Sequence, residues 1–394
     1  MNLHPFFFAS TPHIHFGAGK RTELAGILAG FGHRVLLVTG GHSFDASPLC
    51  QELWHDLQTD FDVRRVRVDE EPSPGLVDET VTEYREFMPE SVLAIGGGST
   101  VDAAKAIAGL LPLGNSVMEY LEGVGKAKPY HGPSTPFVAV PTTAGTGGET
   151  SKNAVLSVQG DGGFKKSFRH EMLVAKHIVL DPELTLSCPQ DVTAACGMDA
   201  LTQLLESYVS SNANPMTDAL ALSGLESVRE CLIRAVEQGD DPEARTGMLY
   251  ASSISGLTLA NAGLGSVHGL ASPLGAFFPI PHGVVCGTLV HEASRMNIGA
   301  MESRQPNHPA LIKYAGVGRL MTKRSDLDDQ DARSGLIDFL GEWTVRLRMP
   351  RLSTYGVGQA DVARIVAGSH GNSMKTNPIE LSDEEIAMLI CSRL

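Results

Sequence analysis

Apolar residues recur along the chain at two spacings, and the change between them divides it near residue 185. Up to that point, short apolar runs alternate with stretches of helical period. The runs at 34–39 (Arg34-Val35-Leu36-Leu37-Val38-Thr39), 63–68 and 91–95 have strand length, and 135–140 extends the set. Helices are expected over 22–31, 47–59 and 77–87; Gly30 and Gly32 close the first, and Glu71-Pro72-Ser73-Pro74 breaks the chain before the third. A shorter alternating piece runs into Phe16-Gly17-Ala18-Gly19 and reads as a strand and a turn. Two further β-like pieces flank Gly160-Asp161-Gly162-Gly163. Strand and helix alternate with short links, which predicts a parallel, Rossmann-like sheet covered by helices on both faces. From about 185 onward the period is helical, over 191–210, 215–236, 242–262 and 334–346. The expected organisation is a nucleotide-binding α/β domain over 1–185 and an all-α domain over 186–394. No long linker separates the halves, so they should share a face.

Composition narrows the partners. The chain has 394 residues, 42% of them hydrophobic, enough for two cores. Its formal charge is −14 and no basic cluster interrupts it, so nucleic acid and anionic membrane are poor partners. An anionic cofactor would need backbone dipoles or a few lysines. Cysteines at 50, 188, 196, 231, 286 and 391 include no Cys-x-x-Cys pair and read as buried thiols of a reducing compartment. Phe6-Phe7-Phe8 is too short for a signal sequence, and no run reaches the ~18 apolar residues of a membrane span. The expectation is a soluble cytoplasmic enzyme.

The strongest local signal is Ile95-Gly96-Gly97-Gly98-Ser99-Thr100-Val101-Asp102-Ala103-Ala104-Lys105, which follows a strand and opens a helix. Glycines let the backbone approach a ligand, and a helix start offers free N–H groups and a positive dipole end. That is a diphosphate seat, although it is neither Gly-x-Gly-x-x-Gly nor a Walker loop, and a bare glycine run can be only a tight turn. A second segment, Pro141-Thr142-Thr143-Ala144-Gly145-Thr146-Gly147-Gly148-Glu149, offers hydroxyls and amides to ribose, phosphate or nicotinamide, or is simply a polar loop.

In the second half, Asp199 and Gln203 stand four apart, on one face of a helix. Ser266-Val267-His268-Gly269 and Pro281-His282-Gly283 add two imidazoles in apolar, glycine-punctuated surroundings. Together these suit a divalent cation such as iron or zinc; singly, each histidine reads as a satisfied core residue. His13 and His15 share a strand face and lack a third ligand in sequence.

These motifs, with the early Phe-Gly-x-Gly turn and the terminal Pro378-Ile379-Glu380-Leu381, resemble the iron-containing (group III) alcohol dehydrogenase family over nearly the whole chain. The resemblance implies a dehydroquinate synthase-like architecture. An N-terminal domain would bind NAD or NADP, a helical domain would hold a divalent metal, and the active site would lie in the cleft between them. It implies that Gly97, Gly98, Ser99 and Asp102 seat the pyrophosphate and that Thr142, Thr143 and Thr146 line the nicotinamide side. Asn153 and Lys165 match cofactor positions, and Ser73 stands where such enzymes often carry Asn. It also implies a homo-oligomer.

Three departures matter. The family's metal set is one Asp and three His; Asp199, His268 and His282 match, while Gln203 replaces a His. Glycerol dehydrogenases resemble this arrangement with one Asp and two His. Ser272 replaces a cleft His thought to help proton exchange. The first core strand ends in Gly40, with Ser43 nearby, where many members carry an Asp that selects NAD; a 2′-phosphate would not be repelled, so NADP and NAD both stand open. The expected reaction interconverts a small alcohol and its aldehyde or ketone by metal-assisted hydride transfer, with Asp199, His268 and His282 as the catalytic set. Leu270, Leu274, Phe277 and Phe278 read as core, a minority of them walling a small apolar pocket. Glu206 reads as solvated or paired. A metal-independent reductase of the maleylacetate reductase type, and a non-catalytic nucleotide-binding homologue, are the alternatives.

Overall fold

The apolar runs of the first half become one sheet. The computed structural model of the chain describes residues 5–160 and 162–394. The strands β1 (His13–Phe16), β2 (Arg34–Gly40), β3 (Asp62–Val68), β4 (Ser91–Gly96), β5 (Phe137–Pro141) and β8 (His177–Leu180) pair in parallel in the order β1-β8-β5-β4-β2-β3. β6 (Asn153–Val158) and β7 (Phe164–Arg169) make a separate antiparallel pair, whose connecting turn includes Asp161, outside the described residues. Alternate residues of the central strands enter different cores. Leu36, Val38, Val92, Ala94 and Ala139 face one layer, and Val35, Leu37, Leu93, Ile95, Val138 and Val140 face the other. Burial on both faces explains the near-continuous apolar runs.

The helices of this half are α1 (Leu24–Ala29), α2 (Ser43–Ala46), α3 (Pro48–Asp60), α4 (Pro74–Tyr84) and α5 (Gly98–Leu110). α1 is shorter than expected, because the stretch Lys20–Glu23 before it winds as a 3-10 turn. α4 starts earlier than expected, at Pro74, because the Ser73 hydroxyl accepts from Leu76 N at 3.1 Å and caps it. β4 lies between β5 and β2, so the direction of winding reverses between β2 and β4. Ligands of such sheets bind at the strand ends beside that switch point, where Gly40 and Gly96 stand.

The second half is α6 (Gln190–Val209), α7 (Pro215–Glu237), α8 (Pro242–Ala262), α9 (Ser266–Phe277), α10 (His282–Arg304), α11 (Pro309–Thr322), α12 (Asp329–Arg346), α13 (Val362–Gly368), α14 (Asn372–Lys375) and α15 (Asp383–Cys391). They share one apolar core in which α6, including Met198, Leu201 and Leu205, is central. α7 and α8 are each opened by a polar cap followed by proline, Asn214-Pro215 and Asp241-Pro242. α12 begins before the expected residue 334, with the Asp328 side chain accepting from Asp331 N. Among the described residues, no helix is long and apolar enough to cross a membrane.

His13 and His15 gain a partner the sequence order hides. β1 lies beside β8, so His177 stacks on His13 with ring centroids 4.9 Å apart, and its Nδ1 lies 3.0 Å from His15 Nε2. Glu23 holds the other nitrogen of His15 at 2.7 Å. Strand pairing thus supplies a neighbour that sequence order hides.

Candidate active site

At the end of β4 the backbone turns through Gly97, which is extended, and starts α5 at Gly98. The first N–H groups of α5 have no carbonyl behind them and point towards the switch point. Glycine is needed for room at Gly96, where a Cβ would sit 2.4 Å from Thr100 Oγ1; one on Gly98 would sit 3.0 Å from Thr146 Oγ1, and one on Gly97 3.3 Å from Thr143 Oγ1. The threonine loop thus lies against the glycine turn, tied by a bond from Thr142 N to Gly96 O of 3.0 Å. Gly147, at φ +58°, approaches α8 so closely that a Cβ would lie 2.3 Å from Ser252 O. The Thr150 hydroxyl bonds Ser253 O, so this loop also joins the two halves.

A buried lysine fixes the loop. Lys105, fully buried on α5, donates to Gly148 O at 2.7 Å and Asn153 O at 2.6 Å, and lies 3.9 Å from Asp102. Burial pushes its ammonium pKa down, against the pull of Asp102 and Glu149. Burial likewise pushes the carboxyls of Asp102 up to about 6 and Glu149 up to about 7, against the pull of Lys105. Glu149 Oε1 has no hydrogen-bond partner among the described residues.

Three helices build the second cluster. Asp199 projects from the middle of α6, His268 from the first turn of α9, and His282 opens α10. His268 Nε2 lies 3.3 Å from Asp199 Oδ1, and His282 Nε2 lies 3.8 Å from the same oxygen. Cys286, one turn along α10 from His282, brings Sγ to 3.6 Å from His268 Nε2 and 3.9 Å from His282 Nε2. Ligand atoms of all four residues lie within 4.8 Å of one another. Glu206, two turns from Asp199 on α6, accepts from Val267 N and holds His268 Nδ1, each at 2.7 Å. That bond commits Nδ1 as the donor and turns the Nε2 lone pair towards Asp199. Burial pushes the His282 imidazole down to about 4, despite Asp199, so it stays neutral. Asp199 is held at about 2, burial opposing and the two imidazoles prevailing. Burial opposes protonation of His268 too, but Cys286, Asp199 and Glu206 raise it; a cation would displace that proton. Burial pushes the Cys286 thiol up to about 12. His282 Nδ1 is buried without a partner among the described residues. The donor set of carboxylate, imidazole and thiol fits a divalent transition metal.

A cleft of about 1040 Å³ runs between the two clusters. Of the expected cofactor residues, Gly98, Ser99, Asp102, Thr146, Asn153 and Lys165 line it; Gly40, Ser43, Ser73, Gly97, Thr142 and Thr143 do not. Gly40 and Ser43 lie at the β2 end, where a Cβ on Gly40 would meet Ser43 Oγ at 3.1 Å. Asp199, Gln203, His268 and His282 all line the cleft. Gln203 stands at its edge, with Oε1 3.0 Å from Ser255 Oγ and Nε2 3.4 Å from Asp199 Oδ1. Lys165 pairs with Glu71 at 2.7 Å, and Ser272 donates to Lys165 O at 3.0 Å. Leu270, Leu274 and Phe278 belong to the helical core, and Phe277 packs against it; none walls the cleft, where Leu259, Leu264, Val284, Met349 and Tyr355 stand instead.

Sequence reasoning did not assign Lys105, Glu71, Glu206 or Cys286 to the site: Glu71 lines the cleft, Lys105 holds the threonine loop, and Glu206 and Cys286 stand against the imidazoles. Glu206 and Cys286 had a signal: each shares a helix face with a predicted ligand, seven from Asp199 and four from His282.

A dinucleotide seat at a sheet switch point, opening onto a metal-competent cluster, defines the class of nicotinamide-dependent, metal-assisted oxidoreductases. The description "Iron-containing alcohol dehydrogenase" matches residues 11–182, and "Fe-containing alcohol dehydrogenase family, C-terminal" matches 193–394. The chain belongs to the iron-containing alcohol dehydrogenase family. Alcohol dehydrogenase 4 of Schizosaccharomyces pombe is 34% identical over 332 residues, covering 82% of this chain and 73% of that one. A 1,3-propanediol oxidoreductase structure superposes with a TM-score of 0.88 at 27% identity, over 99% of this chain and 100% of that one. Sulfoacetaldehyde reductase from Bifidobacterium kashiwanohense, solved with NAD+, superposes with a TM-score of 0.84 at 28% identity, over 99% of each chain. The protein is an NAD(P)-dependent oxidoreductase that interconverts an alcohol and its aldehyde or ketone, and its family's cofactors are NAD(P) and iron.

Proposed function

We propose that Asp199, His268 and His282 hold a divalent cation at the helical wall of the cleft, and that the dinucleotide lies from the start of α5 towards it. One observation carries this reading: a single cleft is lined both by Gly98 and Ser99 and by Asp199, His268 and His282. When bound, the cation supplies Lewis acidity at a substrate oxygen, and the nicotinamide gives or takes the hydride. The chain's own residues position and insulate. Glu206 fixes the tautomer of His268. The α5 amides take the diphosphate, with Gly97 shaping the turn and Thr142, Thr143 and Thr146 backing it. The threonine loop, held by Lys105, sets the depth at which the nicotinamide side rests. Asn153 and Lys165 would contact the cofactor from the β6–β7 pair. Ser73, used as the α4 cap, would act only through the loop it fixes.

The Ser272 hydroxyl is engaged with Lys165 O. The titratable pair facing the cleft is instead Lys165 with Glu71, whose carboxyl burial raises and Lys165 lowers, with a net downward shift. The apolar wall of Leu259, Leu264, Val284 and Met349 suits a small, mostly apolar alcohol or carbonyl. We place the domain boundary at about 185, in the turn Pro182–Thr185 that links β8 to α6. Six unpaired cysteines support a cytoplasmic setting, and exposed Ile14 and Phe16 on the edge strand β1, with exposed Phe7 before it in sequence, support a homo-oligomer. The test is NAD(P)H oxidation and NAD(P)+ reduction over a panel of alcohols, aldehydes and keto acids, before chelation, after it, and after iron or zinc is returned. Activity lost with the metal and restored by it is expected. Undiminished turnover after complete chelation would overturn the metal assignment and favour the maleylacetate reductase type.

A further inference from the structure

We propose that the fourth protein ligand of the metal is the Cys286 thiolate and not the Gln203 amide. This rests on the reading of Asp199, His268 and His282 as cation ligands. A tetrahedral ion bonded at about 2.0–2.1 Å to N and O and about 2.3 Å to S holds its donors about 3.3–3.4 Å apart for N···O and about 3.5–3.6 Å for N···S. His268 Nε2 stands 3.3 Å from Asp199 Oδ1 and 3.6 Å from Cys286 Sγ, on both values. Two of the three edges that involve His282 Nε2 are 3.8 Å to Asp199 Oδ1 and 3.9 Å to Cys286 Sγ, longer by a few tenths, and all four donors lie within 4.8 Å of one another.

Without a metal the cluster can satisfy itself, a protonated His268 donating to Glu206 and Asp199 and the Cys286 S–H to one neighbour. A cation replaces those protons: with Glu206 holding Nδ1, the Nε2 atoms of His268 and His282, Asp199 Oδ1 and the Cys286 thiolate each offer a lone pair within one buried cluster. Gln203 is arranged otherwise. Its carbonyl side faces the Ser255 hydroxyl, and its NH2 faces Asp199, the orientation that avoids setting two oxygens against each other. Helix geometry gives the reason for the exchange: His282 and Cys286, at i and i+4 of α10, present both donors on one face.

On coordination the S–H bond breaks, its proton passes to solvent, and a sulfur–metal bond forms. The set keeps four protein donors, with a thiolate in place of an imidazole, and a substrate oxygen would enter as a fifth ligand. The protein set is therefore softer and carries one more negative charge than a set of one Asp and three His, which shifts preference towards zinc.

Chelated protein is reloaded with Co(II) or Zn(II) alone. The wild-type Co(II) form should show a sulfur-to-cobalt charge-transfer band, and Cys286→Ser should lose it. Metal affinity in that variant should fall by at least about 100-fold, beyond the 10–100-fold of losing an outer partner. Gln203→Leu should keep both the band and the affinity. X-ray absorption at the zinc edge of the wild-type protein, which depends on no variant, should give one sulfur at about 2.3 Å. Stoichiometric metal with only N and O neighbours, or a band surviving in Cys286→Ser, overturns the thiolate and leaves the three-ligand reading standing. No uptake of either metal, with NADPH still bound, overturns both.

Discussion

The two ends of the cleft are built on different principles. The nucleotide seat is mostly backbone: glycines, a helix start, and a threonine loop anchored by one buried lysine. The metal end is mostly side chain, and its members come from α6, α9 and α10, as far apart in sequence as Asp199 and Cys286. A seat made of amides tolerates changes in the side chains around it, provided the loop is held. A cluster of ligands depends on each atom it contributes. Losses at the two ends should therefore separate into chemistry and architecture.

The sharpest break lies at the metal end. His268→Ala and His282→Ala each remove a nitrogen donor, and the lost charge stabilisation of several kcal/mol predicts at least about a 10³-fold fall in kcat. Cofactor affinity, read by NADPH fluorescence titration, should stay near the wild-type value, because the imidazoles stand on α9 and α10 and take no part in the glycine turn or the threonine loop. Wild-type rates in both variants would dissolve the distinction. The counterpart at the seat is Lys105→Met. It leaves Gly148 O and Asn153 O without their donor and Asp102 without its counter-charge, a loss of about 3 kcal/mol or more in stability. Chemical denaturation should show that loss together with weakened NADPH binding. A variant of unchanged stability would mean that the loop is held by its backbone contacts with α8 alone.

This contrast also explains what was legible in the sequence. The sheet was readable because strands buried on both faces leave unbroken apolar runs, and α8 was expected over the residues it occupies, 242–262. The glycine turn was readable because its function and its sequence are contiguous. α9 and α10, which carry both histidines, were not expected as helices. α9 is apolar almost all round, with Pro273 inside it and glycines at 269 and 275, so it has no polar face to reveal a period. The histidines were found from their apolar, glycine-punctuated surroundings together with Asp199, with the family resemblance added, and the helix register that brings Cys286 beside them stayed hidden. A search for Cys-x-x-Cys overlooks a thiol whose partner is a histidine four residues earlier. His177 was missed for a related reason, since only strand order puts it against His13.

The buried acids of the seat give a smaller and pH-dependent handle. Glu149, raised from an ordinary 4.5 to about 7 by burial, keeps its proton in the folded chain where the unfolded chain has lost it. Between those values the unfolded state binds fewer protons, so this residue makes stability fall as pH rises, with no further loss above about 7. Glu149→Gln removes that contribution. Relative to wild type, its stability should improve between pH 4.5 and pH 8 by on the order of 3 kcal/mol. Denaturation midpoints for both proteins across that range check it. A difference independent of pH would mean that Glu149 is ionised in the fold, with Lys105 as its full counter-ion.

The finest distinction concerns the far end of the nucleotide, at the β2 terminus. Gly40 offers no carboxylate, and its surroundings carry both signs: Arg67 donates to Gly41 O at 2.6 Å, Arg65 pairs with Asp45 at 2.7 Å, and Asp69 crowds Gly41. A Cβ on Gly40 meets the Ser43 hydroxyl at 3.1 Å, and that group can rotate away. Gly40→Asp should therefore fold, accept hydrogen bonds from ribose hydroxyls, and repel a 2′-phosphate. The ratio of kcat/KM for NAD over NADP should rise at least about tenfold, equivalent to about 1.4 kcal/mol. Metal content should not change, because Gly40 does not line the cleft in which the metal cluster lies. An unchanged ratio would show that the ribose does not reach this strand end, and the seat would then be confined to the α5 turn and the threonine loop.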